Sequence, residues 1–241
     1  MCTASWWFGE GQSALCFNRD ERKTRPRANP PEPFLNKGIR CLAPVDPQGG
    51  GTWLCVNERG LCAFILNNYE AGAATAGSKR KTRGGLVMEA CSYSSRIAAA
   101  SWIEAEELSE YAPFFLGLLD REGCEIRGWD GQELTRLRGS SDFLTTSSFR
   151  SGEVQSYRKS RYETWRRETA DLGDLEDRLQ YHLNVDNPDP AFNPLMRRVE
   201  SETHNVSAMS LGSDAARFIY LERGRDKDAF EARRVSQLHF L

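Results

Sequence analysis

Cys2 has the chemistry of a nucleophile, and its place directly after Met1 offers it a second reactive group. Aminopeptidases normally remove a methionine that precedes a small residue, and this removal leaves Cys2 with a free α-amine. Such an amine has a reference pKa of about 7.7–8.0, so near neutral pH it can accept a proton. A residue that carries both nucleophile and base is a known catalytic arrangement. The alternative is that Cys2 is a small buried apolar residue, as many free cysteines are.

A polar cluster at residues 18–21 follows at the distance that a β-hairpin needs to bring it back to Cys2. A glycine-containing turn at residues 9–12 separates the two strands that the apolar pattern predicts. Because side chains alternate along a strand, Asn18 and Asp20 face one side. Arg19 and Glu21 face the other side. One of these pairs can therefore point at Cys2, and an arginine there promotes ionisation of the thiol.

Composition excludes several classes of function. The chain has 241 residues, enough for one large domain or two small ones, with a formal net charge of −2 and a pI of about 6.0. This charge argues against a nucleic-acid partner or an anionic membrane surface. No apolar run approaches the roughly 18 residues of a membrane helix, and no signal peptide is recognised, so no integral membrane segment is predicted. Seven cysteines without a CxxC pair favour free thiols, no structural zinc site and a cytoplasmic location.

The predicted elements form alternating blocks of strands and helices. Strands are predicted at Cys2–Phe8, Ser13–Asn18, Thr52–Asn57, Leu61–Leu66, Phe114–Leu119, Glu125–Trp129, Leu134–Arg138, Phe143–Thr146, Val206–Leu211, Ala216–Glu222 and Arg234–Leu241. Helices are predicted at Gly85–Cys91, Ser94–Trp102, Ala105–Glu110, Glu153–Thr169 and Leu172–Leu183. Such blocks favour layers over a βαβ repeat. We therefore expect an α+β fold in which two antiparallel sheets lie between helical layers.

Two stretches are predicted to be loops. Arg22–Gly51 is rich in proline and glycine and lacks a hydrophobic period, so it is expected to be a long surface loop. Long loops in compact domains often cover functional sites, but the favoured interpretation is an irregular surface loop without a functional role. Ala71–Arg83 ends in a basic run that suits either an anion contact or a solvated loop, of which the loop is favoured.

Several short blocks in the first 150 residues together resemble the motifs of one family. In chain order they are Asn18-Arg19-Asp20-Glu21 with Arg25-Pro26, Gly50-Gly51-Thr52-Trp53-Leu54, Leu66-Asn67-Asn68-Tyr69, Arg83-Gly84 with Leu86-Val87, and Tyr111 to Leu116. These segments are similar to the NRDE, GGTWL, LTNY, RGxLV and YxxFNL blocks of the NRDE family, which includes the transport and Golgi organisation 2 proteins. The resemblance implies a single NRDE-family domain over residues 1–241.

The resemblance also implies a fold and a set of site residues. The family is distantly similar to bile-salt hydrolases and penicillin V acylases, which have a four-layer αββα fold of the N-terminal nucleophile hydrolase type. Carried over, Cys2 is the catalytic nucleophile and base, Arg19 favours the thiolate and Asp20 holds the amine. Asn68 is assigned to an oxyanion hole, where one donor contributes about 2.7–4 kcal/mol to lowering the barrier.

The chain departs from the acylase pattern at several positions. Arg19 and Asp20 are adjacent, whereas the acylases space their arginine and aspartate three apart, so Asn18 with Glu21 is an alternative pair. Thr146 stands where a second asparagine is expected. Phe115 replaces the usual asparagine of the NRDE family, and Cys55 replaces its usual glycine. The acylases also have an arginine late in the chain, for which Arg217 is a candidate without a matching motif.

The predicted function is that of an amidohydrolase-like protein in which Cys2 attacks a linear amide or acyl substrate. The partner is a small molecule, and no cofactor or metal is predicted. The alternative is a non-catalytic ligand-binding or trafficking protein on the same fold, concerned with haem or lipid handling or with Golgi and secretory organisation. Haem needs an axial ligand, and no local pattern selects one among the cysteines and the three histidines, His182, His204 and His239.

Overall fold

The computed structural model describes residues 1–71, 81–137, 141–169, 174–224 and 229–241. Within these ranges the helices are α1 (Gly84–Ala90), α2 (Arg96–Ala105), α3 (Ser151–Glu168) and α4 (Leu175–His182). The strands are β1 (Cys2–Gly9), β2 (Gln12–Arg22), β3 (Asn29–Asn36), β4 (Ile39–Val45), β5 (Leu54–Asn57), β6 (Cys62–Asn67), β7 (Phe114–Leu119), β8 (Cys124–Trp129), β9 (Leu134–Arg136), β10 (Phe143–Thr146), β11 (Ser201–Leu211), β12 (Ala215–Arg223) and β13 (Phe230–His239).

The strands form two antiparallel sheets. The first sheet has the order β10-β1-β2-β11-β12-β13, and the second has the order β3-β4-β5-β6-β7-β8-β9. Both ends of the chain thus contribute to the first sheet, while the middle of the chain builds most of the second. The long separation along the chain between β2 and β11 is bridged by direct pairing in the sheet.

Helices cover the outer face of each sheet, which gives four layers. Helices α1 and α2 pack on the second sheet, and α3 and α4 pack on the first. Alternation along the hairpin sends Trp6 and Phe17 into the core shared with the second sheet, where both rings contact Phe64. Trp7 and Cys16 face α3 and α4 instead. The predicted α+β sandwich, with an αββα order of layers, is confirmed.

The prediction of one long loop over Arg22–Gly51 is wrong, because β3 and β4 lie within it. The proline-rich segment 29–36 forms β3 at the edge of the second sheet and, among the described strands, pairs with β4 alone. A proline has no N–H to donate, and an edge strand leaves one side of its backbone without a partner strand, so prolines are tolerated there. The proline content of residues 29–36 therefore indicated a loop where the chain forms an edge strand.

The predicted helix over Ala105–Glu110 is also wrong. Helix α2 ends at Ala105, and its C-cap residue Glu106 has an extended backbone (φ −77°, ψ 141°). The Glu106 carboxylate accepts a hydrogen bond from Trp102 Nε1 at 3.0 Å, which ties the end of the helix to its last turn. Two residues after Glu106, Leu108 is buried.

The remaining predicted elements match the observed ones to within five residues at their described ends. Parts of three predictions lie outside the described residues, namely the end of the strand at Arg138, the start of the helix at Leu172 and the basic residues Lys79 and Arg80. Among the described helices, none combines the length and the apolar character needed to cross a membrane.

Candidate active site

Three residues from neighbouring strands form a row across the first sheet. Cys2 on β1 pairs directly with Thr146 on β10 and with Arg19 on β2. Directly opposed residues of antiparallel strands place their side chains on the same face. All three side chains therefore face the second sheet, and Cys2 stands between a hydroxyl and a guanidinium.

Two polar atoms in this row lack hydrogen-bond partners among the described residues. They are Thr146 Oγ1 and Arg19 Nη1, in residues that are only 3% and 5% exposed. Buried polar groups in native proteins are nearly always hydrogen-bonded, so an orphan group next to a nucleophile points to a missing partner such as a ligand. Both atoms can donate a hydrogen bond.

Arg19 is held in place by its surroundings. Its guanidinium lies 4.4 Å from the centre of the Trp53 ring, and Nη2 lies 3.4 Å from Glu21 Oε2 and 3.8 Å from Asp46 Oδ1. Burial opposes ionisation of Asp46, but the hydrogen bond and charge of Arg25 outweigh it and lower the pKa of that carboxyl. Arg19 is thus a fixed cation between acidic side chains and Cys2.

Asn18 and Asp20 point to the opposite face of β2. Asn18 Nδ2 donates to the carbonyl oxygens of His182 at 2.8 Å and Pro194 at 2.9 Å. Asp20 Oδ1 accepts a hydrogen bond from Thr203 Oγ1 at 2.6 Å, and Oδ2 lies 3.5 Å from Arg158 Nη1. The side chains on the Cys2 face are therefore those of Arg19 and Glu21, as strand alternation requires.

Asp20 nevertheless stays close to the start of the chain through its backbone. Its N–H donates to the Met1 carbonyl oxygen at 3.2 Å. The register that pairs Cys2 with Arg19 puts Asp20 opposite Met1, next to the nitrogen of Cys2. Within the described ranges no hydrogen bond reaches Asp20 Oδ2, so this oxygen is available as an acceptor.

Cys2 and Arg19 lie in the wall of a cavity of 360 Å³ between the two sheets. Polar side chains dominate this wall, and both signs of charge are represented. Its lining includes Cys2, Arg19, Glu21, Arg25, Asp46, Thr52, Trp53, Ile65, Asn67, Lys81, Thr82 and Arg83. A polar cavity that contains a nucleophile and charged groups suits a small polar substrate.

Two glycines bring separate motif blocks together at this cavity. A Cβ atom on Gly51 would lie 2.5 Å from the carbonyl carbon of Gly84, so the two backbones touch. The Thr52 N–H donates to the Gly84 carbonyl oxygen at 3.3 Å. The GGTWL and RGxLV blocks are therefore neighbours because only glycine allows this approach.

Met1 covers the nitrogen of Cys2. It is 6% exposed, and its ammonium group donates to Tyr69 Oη at 2.9 Å. Asn67 Nδ2 donates to the same Tyr69 oxygen at 2.7 Å. With Met1 in place, the nitrogen of Cys2 belongs to a peptide bond and cannot act as a base.

The Cys2 thiol has a raised pKa in this form of the chain. Burial is the main cause, and the Asp20 carboxylate also raises the pKa. The Met1 ammonium group, the Asp20 N–H and Arg19 lower it, but do not outweigh burial. The thiol is therefore neutral at physiological pH while Met1 is attached.

Asn68 does not line the Cys2 cavity, contrary to its assignment to an oxyanion hole. Its Nδ2 donates to the Trp129 carbonyl oxygen at 3.4 Å, and its Oδ1 accepts from the N–H groups of Glu70 and Ala71. Asn67 lies in the cavity wall instead. Alternation along β6 puts Asn67 on the same face as Ile65, which also lines the cavity.

Arg217 does not reach the site either. On β12 it binds the Glu176 carboxylate of α4, with distances of 2.7 and 3.2 Å, on the helix-covered side of the first sheet. Sequence reasoning also missed Arg158, which is fully buried and contacts Asp20 from α3. A signal for it existed, because Arg158 stands four residues from both Val154 and Tyr162 on the buried stripe of that helix.

The histidines offer no ligand to the cavity. His182 is buried, with Nε2 2.6 Å from Ser5 Oγ and with Nδ1 against Asn18 Oδ1. Burial, reinforced by Arg158, lowers the pKa of His182 to about 3. His204 is buried on β11, and His239 is exposed on the edge strand β13. The described cavity wall contains none of the three.

Comparisons with known proteins agree with this architecture. The sequence model of a family described as Transport and Golgi organisation 2 matches residues 9–214. A search of curated proteins gave no match.

Solved structures with the same fold are hydrolases by name. One is a mutant of the conjugated bile acid hydrolase from Clostridium perfringens in which alanine replaces the cysteine at its second position. It has a TM-score of 0.55 and 12% identity, over 99% of this chain and 92% of that one. Another is the Caenorhabditis elegans ortholog of N-acylethanolamine-hydrolyzing acid amidase, with a TM-score of 0.57 and 9% identity, over 87% and 92%. These likenesses show an N-terminal nucleophile hydrolase fold.

Proposed function

The chain belongs to the Transport and Golgi organisation 2 family, and from this premise we propose that it hydrolyses a linear amide with Cys2 as nucleophile. The observation that carries the proposal is the row Thr146–Cys2–Arg19 at the wall of the cavity. In it a thiol stands between two buried, unpartnered donors. The names of the structural neighbours support the same class of reaction, since both denote hydrolases.

The mechanism starts with removal of Met1, which frees the α-amine of Cys2. The amine takes the thiol proton, and the sulfur attacks the substrate carbonyl carbon. A carbon–sulfur bond forms, and the carbonyl electron pair moves to oxygen. When the tetrahedral intermediate collapses, the carbon–nitrogen bond breaks and the ammonium group returns its proton to the leaving nitrogen. Water then hydrolyses the thioester with the amine as base.

Each neighbour of Cys2 has a distinct part in this scheme. Arg19, fixed on Trp53, favours the thiolate through its charge. Thr146 Oγ1, opposite Cys2 and without a partner among described groups, donates to the developing oxyanion. Asp20 Oδ2 accepts a hydrogen bond from the new ammonium group, while Thr203 and Arg158 hold its carboxylate in position.

Asn67 takes the place that the sequence assigned to Asn68. It lies in the wall of the Cys2 cavity and reaches Tyr69 Oη, the group that binds the Met1 ammonium. Once Met1 is gone, Asn67 and Tyr69 are polar groups at the edge of the reaction centre. We assign them to substrate positioning.

The test is an assay of hydrolysis with a panel of small linear N-acyl amides, in which the released free amine is measured. We expect Cys2→Ala to abolish release, because no other group supplies the nucleophile. The matched control is Cys124→Ala, which removes a partly buried thiol from β8 in the other sheet and should leave the rate unchanged. Equal rates for the wild type and Cys2→Ala would show that Cys2 is not the nucleophile. No hydrolysis of any amide would favour a protein that only binds its ligand.

A further inference from the structure

Met1 is buried and makes contacts through its ammonium group, its carbonyl oxygen and its sulfur. Its ammonium group donates to Tyr69 Oη at 2.9 Å, and its carbonyl oxygen accepts from the Asp20 N–H at 3.2 Å. Its sulfur contacts Ser147 Oγ at 2.7 Å. Every part of the residue thus has a partner, and the unbranched side chain lies inside the protein.

A second cavity of 280 Å³ begins at Met1. Tyr69, Ser148 and Met196 contribute to its wall, together with the charged side chains of Arg22, Arg198 and Glu200. It shares the lining residues Asp20, Glu21 and Asn67 with the Cys2 cavity. Met1 lines this second cavity, and the next residue, Cys2, lines the first. Removal of Met1 would therefore enlarge the second cavity next to the nitrogen of Cys2.

The proposed mechanism places the leaving nitrogen of the substrate near the position of Met1. The α-amine of Cys2 must return a proton to the leaving nitrogen, so that nitrogen has to lie within hydrogen-bond reach of it. Met1 is the residue bonded to that same amine before processing. The volume that it vacates is consequently adjacent to the group that protonates the leaving amine.

We propose that the space vacated by Met1, together with the adjoining cavity, binds the amine half of the substrate. This inference rests on the proposed function. The chemical class is an amine with an unbranched aliphatic chain, because the site already accommodates the unbranched side chain of methionine.

The hydroxyl of Tyr69 supplies the polar contact of this subsite. Burial raises the pKa of Tyr69 to about 12, so it remains a neutral phenol at physiological pH. When Met1 leaves, Tyr69 Oη loses the ammonium donor but keeps the Asn67 Nδ2 contact. Its oxygen can then accept a hydrogen bond from the N–H of the substrate amide, and its hydroxyl can donate one to the carbonyl oxygen.

The test uses N-alkyl iodoacetamides, whose alkyl chain takes the position of the leaving amine. The Cys2 sulfur forms a bond to the methylene carbon and iodide leaves, so no hydrolysis is needed. On protein shown by intact mass to lack Met1, labelling of Cys2 is followed by mass spectrometry for methyl, ethyl, propyl and butyl chains. We expect the rate constant to rise about fourfold per methylene group, the effect of burying one methylene.

A variant that fills the cavity should remove this dependence. Ser148 is exposed and lines the cavity, so Ser148→Phe places a ring in the subsite without disturbing the core. The matched control Ser94→Phe adds the same ring at an exposed serine between α1 and α2, and should keep the wild-type dependence.

The outcomes separate the two proposals. Labelling rates that do not depend on chain length, in protein that hydrolyses amides through Cys2, would overturn the subsite and leave the proposed function intact. Chain-length dependence without any hydrolysis would support the subsite and count against catalysis. Protein that retains Met1, or a Cys2 that no iodoacetamide labels, would overturn both.

Discussion

Cys2 and Arg19 lie directly opposite each other on β1 and β2, and their side chains share the face that looks toward the second sheet. The guanidinium cannot swing away easily, since it stacks on Trp53 at 4.4 Å and contacts Glu21 at 3.4 Å. A buried cation is thereby fixed next to the Cys2 thiol. This relationship underlies the first prediction.

Replacement of Arg19 should weaken the nucleophile. In Arg19→Gln, loss of the charge should raise the pH midpoint for alkylation of Cys2 by about one unit or more. The measurement is the pH dependence of iodoacetamide labelling at Cys2 in protein without Met1. The control Arg40→Gln removes a half-exposed arginine that binds Glu58, and its midpoint should equal that of the wild type. An unchanged midpoint in Arg19→Gln would contradict the role of Arg19.

Gly51 should not tolerate a side chain. In Gly51→Ala the added methyl group would lie 2.5 Å from the backbone of Gly84, and we expect a loss of about 1–3 kcal/mol in the free energy of unfolding. Urea denaturation measures this loss. Gly85→Ala is the control, because nothing lies within 4 Å of its Cβ and alanine favours helix α1. Equal stability of the two variants would show that the Gly51–Gly84 contact is not tight.

Arg158 should be essential for stability even though it does not line the Cys2 cavity. Its Nη1 lies 2.9 Å from Thr3 Oγ1 and 3.5 Å from Asp20 Oδ2, and all of these groups are buried. Arg158→Met leaves the Asp20 carboxylate without a cation, at an expected cost of about 3–5 kcal/mol. Arg161→Met, three residues along α3, removes an exposed arginine near Asp186 and should change stability by about 0.5 kcal/mol or less. Thermal and urea unfolding measure the loss of stability in both variants. Equal losses in Arg158→Met and Arg161→Met would contradict this role of Arg158.

The free energy of unfolding should fall as the pH drops below about 6.5. Burial lowers the pKa of His182 in the folded protein to about 3, whereas in the unfolded chain it is near 6.5. Between these values the unfolded chain binds a proton that the folded protein does not. This group therefore costs about 1.4 kcal/mol of stability for each pH unit of acidification in that window.

His182→Gln should lack this share of the pH dependence. The comparison is the slope of unfolding free energy between about pH 6.5 and 4.5, measured by urea denaturation. His239→Gln removes an exposed histidine and should retain the wild-type slope. Identical slopes for wild type and His182→Gln would mean that His182 titrates normally in the folded protein.

Local patterns were sufficient to predict the hairpin that carries the site. The alternation of apolar side chains identified both strands, and parity along β2 correctly separated Arg19 and Glu21 from Asn18 and Asp20. Which pair would face Cys2 depended on the register, which only pairing across the whole sheet determines. The structure pairs Cys2 with Arg19, so the arginine faces the thiol and the Asp20 carboxylate does not.

Other site features depend on contacts that a single sequence does not contain. Motif position indicates Asn68, but β6 continues to Asn67, and alternation then brings Asn67 into the cavity wall. In the motif pattern Thr146 stands out only as a departure from an expected asparagine. Its register with Cys2 instead puts a hydroxyl without a partner among the described residues beside the thiol. The burial of Met1 in the wall of the second cavity has no sequence signature at all.

The central claim is that Cys2 becomes the first residue of the working protein and acts through its own amine. The most direct test is the intact mass of the purified native chain, before and after brief exposure to an acyl amide. The account predicts a mass without Met1, and a transient acyl adduct that peptide mapping assigns to Cys2. A chain that keeps Met1 and forms no adduct would contradict it, because the amine would then remain in a peptide bond and the thiol would stay neutral.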